Sequence, residues 1–322
     1  MPKRSLAEQL DQWIETALAG EDAGLQGTDP RIAPLAGLAT DLADLPSPNF
    51  KRRLKSDLER KVSMAATALT PFPKGYHTIT PYLTVPLAAE LIDFVKNAFG
   101  AEETFRTTGS AGGIHCEVRL GNSMVMIGGG AGRGTPMPTA LHYYVPNVDE
   151  VYARALQLGA KERLGLKEDY GERFGCIEDL AGNEWYIATH QGASYVPEGL
   201  RDVTVYLHPA GARKLIDFMK RAFGAEEVAV YASEGVIHHA KMRIGDSIVE
   251  MGEAHGPWQP MPTMIYMYVP DVDAVYARAL EAGATSISAP VDQPYGDRSG
   301  GVADAFGNQW YIATHIQDTQ TT

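Results

Sequence analysis

The stretch GNEWYIATH at 182–190 returns as GNQWYIATH at 307–315, with eight of nine residues unchanged. The sequence around it repeats as well, because KNAFGAEE returns as KRAFGAEE, with Lys96 corresponding to Lys220 at an offset of 124 residues (220 − 96). By the end of the repeat the offset is 125, so one residue is inserted in the second copy. Copies of this length are complete domains rather than solenoid units.

Each copy has the pattern of two β-α-β-β-β modules. HTITPYLTV (77–85) alternates like a strand, and AAELIDFVKNAF (88–99) carries an apolar helical stripe that ends at Gly100. Three short strands follow, separated by glycine-containing turns, and the second half repeats this order around the helix VDEVYARALQLGA (148–160). The sequence therefore predicts an α+β fold of four tandem βαβββ modules, preceded by a small helical region.

The predicted domain boundaries follow the repeat, and the linker between the copies contains Pro and Gly. The predicted segments are a helical N-terminal region (1–72), a first domain (73–192), a linker (193–198), a second domain (199–316) and a tail (317–322). The N-terminal region begins with a capping box, Ser5 and Glu8, and its helices are amphipathic. Two interpretations stay open: a helical cap on the β domains, or a module that contacts a protein partner.

Composition excludes several classes of partner. The chain has 322 residues and a net charge of −12, which would repel nucleic acid and anionic membranes. No apolar run approaches the roughly 20 residues needed to cross a bilayer. The two cysteines, Cys116 and Cys176, are too few for a disulfide framework. We expect a cytoplasmic protein with neither nucleic acid nor membrane as a partner.

These motifs carry a family resemblance. HTITPYLTV, NAFGAEE, IHCEVRLGNS and the late EDLAGNEWYIATH recur in order in both copies, and they resemble the vicinal oxygen chelate superfamily. This is the glyoxalase/bleomycin-resistance/dioxygenase fold, and the most similar branch contains bacterial glyoxalase-like proteins that resemble the phosphonate-operon protein. The resemblance implies that paired modules form two cup-shaped sheets. It does not imply one activity, because the superfamily includes lyases, epimerases, dioxygenases, thiol transferases and drug-sequestering proteins.

Strand alternation assigns side chains to the cups, because apolar positions such as Leu83 and Trp185 should meet the helices. The residues predicted to line the cups are Thr80, Tyr82, His115, Glu117, His142, Tyr144 and Tyr186 in the first copy, and Thr204, Tyr206, His208, His239, Lys241, Tyr266, Tyr268 and Tyr311 in the second. Many are tyrosines, which give a small-molecule pocket flat faces and directional hydroxyls.

Metal enzymes of the superfamily hold their ion with His, Glu or Gln at four positions. The resemblance places these positions at Thr80, Val125, His142 and Tyr186 in the first copy, and at Thr204, Val249, Tyr266 and Tyr311 in the second. Only His142 is a usual ligand, so we expect no metal at these positions and no other cofactor. Glu250 points to the opposite face from Val249 by alternation and is interpreted as structural.

A second constellation keeps a divalent metal as an alternative. His115, Glu117 and His142 would converge if each cup were built from one copy, as catalytic acid–base groups or as a two-histidine, one-carboxylate site. In several two-module relatives the halves exchange between partners. If the cups of this chain likewise mix modules from both copies, this grouping changes.

The repeated loops DYGERFG and PYGDRSG carry Arg173 and Arg298. These arginines either brace the turn by pairing with a carboxylate or stand at the cup mouth to bind an oxygen-rich ligand. The sequence leaves two functions open: a metal-independent binding protein for an aromatic or oxygen-rich small molecule, or a lyase, isomerase or transferase acting in the first domain. A partner-dependent regulatory role of the N-terminal helices is a third.

Overall fold

The chain divides into two compact units, Met1–Leu69 and Thr70–Thr322. The computed structural model describes Glu8, Gln12, Thr16 and residues 71–109, 112–129, 136–256 and 258–318. Glu8, Gln12 and Thr16 are helical, and the remainder of the predicted helical region up to residue 70 lies outside the described residues. The second unit contains all four βαβββ modules.

The modules follow each other as the sequence predicts. Modules 1 and 2 consist of β1 (Ile79–Thr84), α1 (Ala88–Phe99), β2 (Glu102–Thr108), β3 (Ile114–Leu120) and β4 (Ser123–Gly129), then β5 (Ala140–Tyr144), α2 (Val148–Gln157), β6 (Lys161–Asp169), β7 (Glu172–Glu178) and β8 (Glu184–His190). Modules 3 and 4 consist of β9 (Val203–Leu207), α3 (Ala212–Phe223), β10 (Glu226–Ser233), β11 (Val236–Ile244) and β12 (Ser247–Met251), then β13 (Met264–Tyr268), α4 (Val272–Glu281), β14 (Thr285–Asp292), β15 (Asp297–Ala303) and β16 (Gln309–His315).

The helices end as the sequence predicts. Gly100 and Gly224 follow α1 and α3 with φ of 74° and 68°, a left-handed conformation that favours glycine, and each donates its N–H to a carbonyl of the last turn. Asn147 caps the start of α2 by accepting a hydrogen bond from the backbone of Glu150.

Each sheet takes one module from each copy. Sheet A joins modules 1 and 4 in the order β14-β15-β16-β13-β1-β4-β3-β2, and sheet B joins modules 3 and 2 in the order β10-β11-β12-β9-β5-β8-β7-β6. The central pairs are antiparallel, with Thr80 opposite Tyr266 in sheet A and His142 opposite Thr204 in sheet B. The grouping of cup residues by copy is therefore wrong.

The two modules of one copy meet through their helices instead. Phe99 at the end of α1 packs on Trp185 of β8 with ring centroids 4.8 Å apart, and Arg154 of α2 donates to the carbonyl of Ala98 at 2.6 Å. Phe223 and Trp310 repeat the contact in the second copy at 4.7 Å. One apolar core consequently runs through both copies.

The repeated motif begins with a buried turn. Asp179 accepts hydrogen bonds from the backbone N–H groups of Ala181 and Asn183, from the Asn183 amide at 2.9 Å and from the Trp185 indole at 2.9 Å. Asp304 binds its own turn in the same way. These carboxylates satisfy donors that would otherwise be buried without partners. The Gly-Asn-x-Trp part of the repeat is structural.

In the described part of the chain, no helix has the length and apolar character needed to cross a membrane. Cys116 and Cys176 are both free and buried, and burial raises the pKa of each thiol.

Candidate functional site

The predicted faces of the strands agree with the structure at most positions, with Glu250 as an exception. Leu83, Cys116, Leu141 and Trp185 lie in the core under the helices. Their neighbours point to the opposite, helix-free face of each sheet. We call these faces cup A, on sheet A with Tyr82, His115, Glu117, Tyr266, Tyr268 and Tyr311, and cup B, on sheet B with His142, Tyr144, Tyr186, Tyr206, His239, Lys241 and Glu250.

The proposed convergence of His115, Glu117 and His142 is wrong. His115 and Glu117 lie on β3 of sheet A, whereas His142 lies on β5 of sheet B. The cause is the exchange of modules, which pairs module 2 with module 3. The three residues therefore cannot form one catalytic group or one metal site.

His142 meets carboxylates from two other strands in cup B. Its Nδ1 lies 2.9 Å from Glu250 Oε2 on β12, and its Nε2 lies 3.6 Å from Glu172 Oε2 on β7. Glu250 is fully buried, and its Oε1 lies 3.3 Å from Lys241 Nζ and 3.5 Å from His239 Nε2. The result is a buried network of alternating charges built from both copies.

The charges of His142, Glu172 and Glu250 determine each other's protonation states. Burial alone would lower the pKa of His142, but the charge and hydrogen bonds of Glu250 and Glu172 outweigh burial and raise the pKa to about 9. Burial would likewise raise the pKa values of both carboxyls, but His142 holds the pKa of Glu250 well below its usual range and lowers that of Glu172. At neutral pH the imidazolium lies between two carboxylates.

Two atoms of this network, Nε2 of His142 and Oε1 of Glu250, are buried and have only ion-pair neighbours at 3.3 to 3.6 Å, without a well-formed hydrogen bond among the described residues. His142 is 9% exposed and Glu250 is not exposed at all. Buried polar atoms usually complete their hydrogen bonds, so a water molecule or a ligand is expected to serve these two atoms. Both side chains point into cup B beside the aromatic residues described next.

An aromatic wall lies beside the network. The rings of Tyr186 and Tyr206 are 5.2 Å apart, and Trp258, in the loop after β12, lies 5.8 Å from Tyr186. His208 stacks on Trp258 at 5.9 Å and approaches the Tyr186 hydroxyl at 3.2 Å. Burial lowers the pKa of His208 to about 4, so this histidine is neutral at pH 7. On the same face, Tyr206 follows Thr204, which is buried.

The other cup is built mainly from tyrosine phenols, together with His115 and the carboxylates of Glu117 and Asp297. Tyr82 lies 3.0 Å from His115 Nδ1, and His115 Nε2 lies 3.5 Å from Glu117. The hydroxyls of Tyr266 and Tyr268 donate to Asp297 at 3.0 Å and 2.9 Å. Met126 occupies the position that Glu250 has in cup B. In sheet A, Thr80 is buried at the central strand pair and Tyr311 lies half-buried beside Tyr266.

Comparisons with known proteins agree with this architecture. Residues 210–312 match the family model of the Glyoxalase/Bleomycin resistance protein/Dioxygenase superfamily. An uncharacterized protein of Mycobacterium bovis is 38% identical over 119 residues, which cover 33% of this chain and 78% of that protein. An uncharacterized protein of Mycobacterium tuberculosis matches at the same identity, with 70% of its length covered.

The chain belongs to the glyoxalase/bleomycin resistance protein/dioxygenase superfamily. Solved structures of this superfamily share its fold across all four modules. Glyoxalase I from Zea mays superposes with a TM-score of 0.56 at 13% identity, covering 73% of this chain and 91% of that one. A putative dioxygenase from Bacillus subtilis gives 0.54 at 16% identity, covering 74% and 85%. At these identities the likeness establishes the fold alone.

The superfamily's metal site does not fit the residues of either cup. At the central strands β12, β9 and β5 of cup B only His142 and Glu250 are usual metal ligands, and Glu250 already pairs with Lys241 at 3.3 Å. In cup A the corresponding positions hold hydroxyl groups, Thr80, Tyr266 and Tyr311. Within the described ranges, no cluster of three or more His, Cys, Asp or Glu side chains is arranged to hold a metal ion.

Arg173 and Arg298 do not point into the cups. Arg173 forms a two-pronged ion pair with Asp149 of α2 at 2.6 and 2.7 Å, and Arg298 pairs with Asp273 of α4 at 2.7 Å. Because neighbours on a strand point to opposite faces, the preceding Glu172 enters the cup while Arg173 reaches the helix side. Each arginine therefore holds its strand against a helix. It does so by pairing with a carboxylate of that helix and not with the carboxylate next to it in its own loop.

Three residues of cup B are not among those predicted from the sequence. Glu250 was assigned away from the cup, but Val249 is the residue that packs in the core, so Glu250 faces inward. Val249 and Met251 on either side are apolar, and this alternation indicates that Glu250 faces the cup. Glu172 stands next to Arg173 in the sequence, which favours a local ion pair over a position in the cup. Trp258 lies in a loop, where no periodicity indicates the direction of a side chain.

Proposed function

We propose that the chain binds one small aromatic molecule with oxygen groups in cup B, between modules 2 and 3. The observation that carries this proposal is the buried charge network of His142 and Glu250 beside the aromatic wall, in which His142 Nε2 and Glu250 Oε1 have ion-pair neighbours but no well-formed hydrogen bond. Ligand sites are typically apolar and aromatic, with a few converging polar groups that fix orientation.

The chemistry of the cup selects the ligand. Tyr186, Tyr206 and Trp258 offer ring faces to an aromatic skeleton. The imidazolium of His142 can donate from Nε2 to a ligand oxygen, and a charged donor gives a stronger hydrogen bond than a neutral one. Lys241, whose side chain is 25% exposed, supplies a second donor nearer the solvent. These groups favour a ligand with adjacent oxygen acceptors on a flat ring.

Tyr186 and Tyr311 test this proposal as a matched pair, because they stand at the same position of the repeated motif. Replacing Tyr186 by Ala is expected to weaken binding of 4-nitrocatechol, followed by its absorbance, by about fivefold, since one ring contact is worth roughly 1 kcal/mol. Tyr311→Ala, in the other cup, is expected to change the affinity less than twofold. Equal losses in both variants, or no saturable binding by the wild-type chain, would contradict the proposal.

A second function is favoured by the protonation of the network. A lyase, isomerase or transferase of this superfamily needs an acid and a base of matched pKa near the reacting atoms. In cup B the protonated His142 is suited to donate a proton, and Glu250, whose pKa lies well below its usual range, keeps the imidazole charged and in place. This assignment replaces His115 and Glu117, which lie in cup A.

The catalytic function is tested by measuring turnover of candidate substrates. We expect His142→Gln to lower turnover of an α-ketoaldehyde, an epoxide or a catechol by about 100-fold, the usual worth of a general acid, while the wild-type chain turns over at least one of them. Glu117→Gln in cup A serves as the control. Absence of turnover by the wild-type chain would leave binding as the function of cup B.

A further inference from the structure

Residues 71–78 lead into β1 and cross cup A. The backbone N–H of His315 donates to the carbonyl of Pro71 at 3.2 Å, and that of Tyr268 donates to the carbonyl of Thr78 at 2.9 Å. A turn closed by Tyr76 N and Pro73 O at 3.1 Å lies between these anchors. The segment is therefore attached to β16 at one end and β13 at the other.

The segment places two rings in the cup. Tyr76 meets Tyr268 edge-on with centroids 5.4 Å apart, and Phe72 lies 6.4 Å from the same ring. Both rings join an apolar cluster of the cup face, formed by Met126, Tyr266, Tyr268 and Ala313 with Tyr82 and Tyr311 packed against it. In cup A, Phe72 and Tyr76 therefore cover an aromatic wall similar to the one that we expect to bind a ligand in cup B.

The hydroxyl of Tyr76 is buried near a carboxylate. Tyr76 and Glu117 both line a cavity of about 370 Å³ that remains in cup A, together with Arg119 and Met124. Burial and then the charge of Glu117 raise the pKa of Tyr76, so the phenol keeps its proton. The groups around the ring thus suit a neutral phenol.

The second copy has the same backbone path without the rings. The N–H of His190 donates to the carbonyl of Tyr195 at 3.0 Å, and that of Tyr144 donates to the carbonyl of Asp202 at 2.8 Å. At the repeat offset of 124 residues, Leu200 corresponds to Tyr76. The side chain, rather than the course of the backbone, therefore fills cup A.

We propose that cup A is a binding site for a phenol ring and that Tyr76 of the same chain occupies it as an internal ligand. The edge-on contact with Tyr268 and the surrounding apolar cluster form the site, and the Tyr76 hydroxyl is buried there without a hydrogen-bond partner among the described residues. Removing the Tyr76 side chain opens it to a free phenol with a small apolar para group. This inference stands whether or not cup B binds a ligand.

The test uses the full chain with Tyr76→Ala and the probe p-cresol, which has the shape of the missing side chain. We expect the variant to melt on the order of 8 °C lower than the wild type, as for a large-to-small change in a domain of this size. Saturating p-cresol is expected to recover at least half of that loss with one molecule bound per chain.

Leu200→Ala is the matched control, because it truncates the corresponding residue of the other copy. We expect no p-cresol-dependent gain in that variant or in the wild type beyond a common background. If Tyr76→Ala does not fold alone, refolding from urea with p-cresol should restore the near-ultraviolet circular dichroism of the native chain. Failure of p-cresol to stabilise or refold Tyr76→Ala, or equal stabilisation of Leu200→Ala, would overturn the proposal.

Discussion

Replacing Glu250 by methionine is expected to lower the free energy of unfolding by about 3–5 kcal/mol, the cost of removing one partner from a buried ion pair. Methionine matches the volume of the site, since Met126 stands there in the other sheet. The loss arises because the imidazolium of His142 keeps only Glu172, 3.6 Å from its Nε2, and cannot return to water. Urea unfolding at pH 6 measures the difference.

Two further variants make the result specific. Glu150→Met removes an exposed carboxylate that pairs with Arg154 and is expected to cost about 0.5 kcal/mol or less. Glu250→Met combined with His142→Tyr converts the pair to the residues of cup A and should recover more than half of the loss, because a buried pair replaced by neutral side chains is often nearly neutral. A loss below about 1 kcal/mol in Glu250→Met would show that the pair is not formed.

The free energy of unfolding is expected to fall by about 3 kcal/mol as the pH rises from 6.5 to about 9, because His142 in the folded protein loses its proton near the upper end of this range. The folded state raises the pKa of this histidine, so its stabilisation is complete below about 6.5 and disappears as the pH passes the folded value. The folded state lowers the pKa values of Glu250 and Glu172, so the stabilisation from these carboxylates has the opposite pH dependence. It is present above about pH 4.5 and is lost as the pH falls below that value. The network stabilises most between these limits.

Urea unfolding curves of the wild type and of His142→Gln, measured from pH 5 to 10, isolate this contribution. The two profiles should converge as the pH rises, since only the wild type loses the charged imidazole. Other titrating groups, such as His315, are common to both proteins and cancel in the difference. Parallel profiles would mean that His142 titrates as in the unfolded chain.

Much of the fold could be predicted from local patterns. The repeat offset gave two copies, the alternation of Leu83 and Trp185 with polar neighbours gave the buried faces, and Gly100 marked the end of α1. These features depend on neighbouring residues in one element, where side-chain period and backbone conformation act directly. The tandem βαβββ architecture and its family followed from them.

The pairing of the modules could not be predicted in this way. β5 carries the same alternation whether its edge meets β1 or β9, because pairing depends on backbone groups that every residue has. The grouping of His142 with His115 failed for this reason. Helix contacts such as Phe99 on Trp185 hold the modules of one copy together and leave the strand edges to the other copy.

Long-range contacts also decided the candidate site. Glu250 meets His142 across 108 positions of sequence, so only the folded sheet brings the charges together. Tyr76 enters cup A from a segment without periodicity, and its role depends on a ring contact with Tyr268. The cups also differ by single substitutions between the copies. Met126 in cup A corresponds to Glu250 in cup B, and Tyr266 in cup A corresponds to His142 in cup B.

The most direct test of a shared cup is the titration of His142 by NMR of its imidazole nitrogens, assigned with His142→Gln. In the wild type we expect a pKa of about 9. In Glu250→Met, a change in the other copy of the sequence, we expect the pKa to fall by more than one, since an opposite charge within hydrogen-bond distance typically shifts a pKa by 1 to 3. A value near 6.5 in both proteins would contradict the account, because modules 2 and 3 would then not bring these charges together.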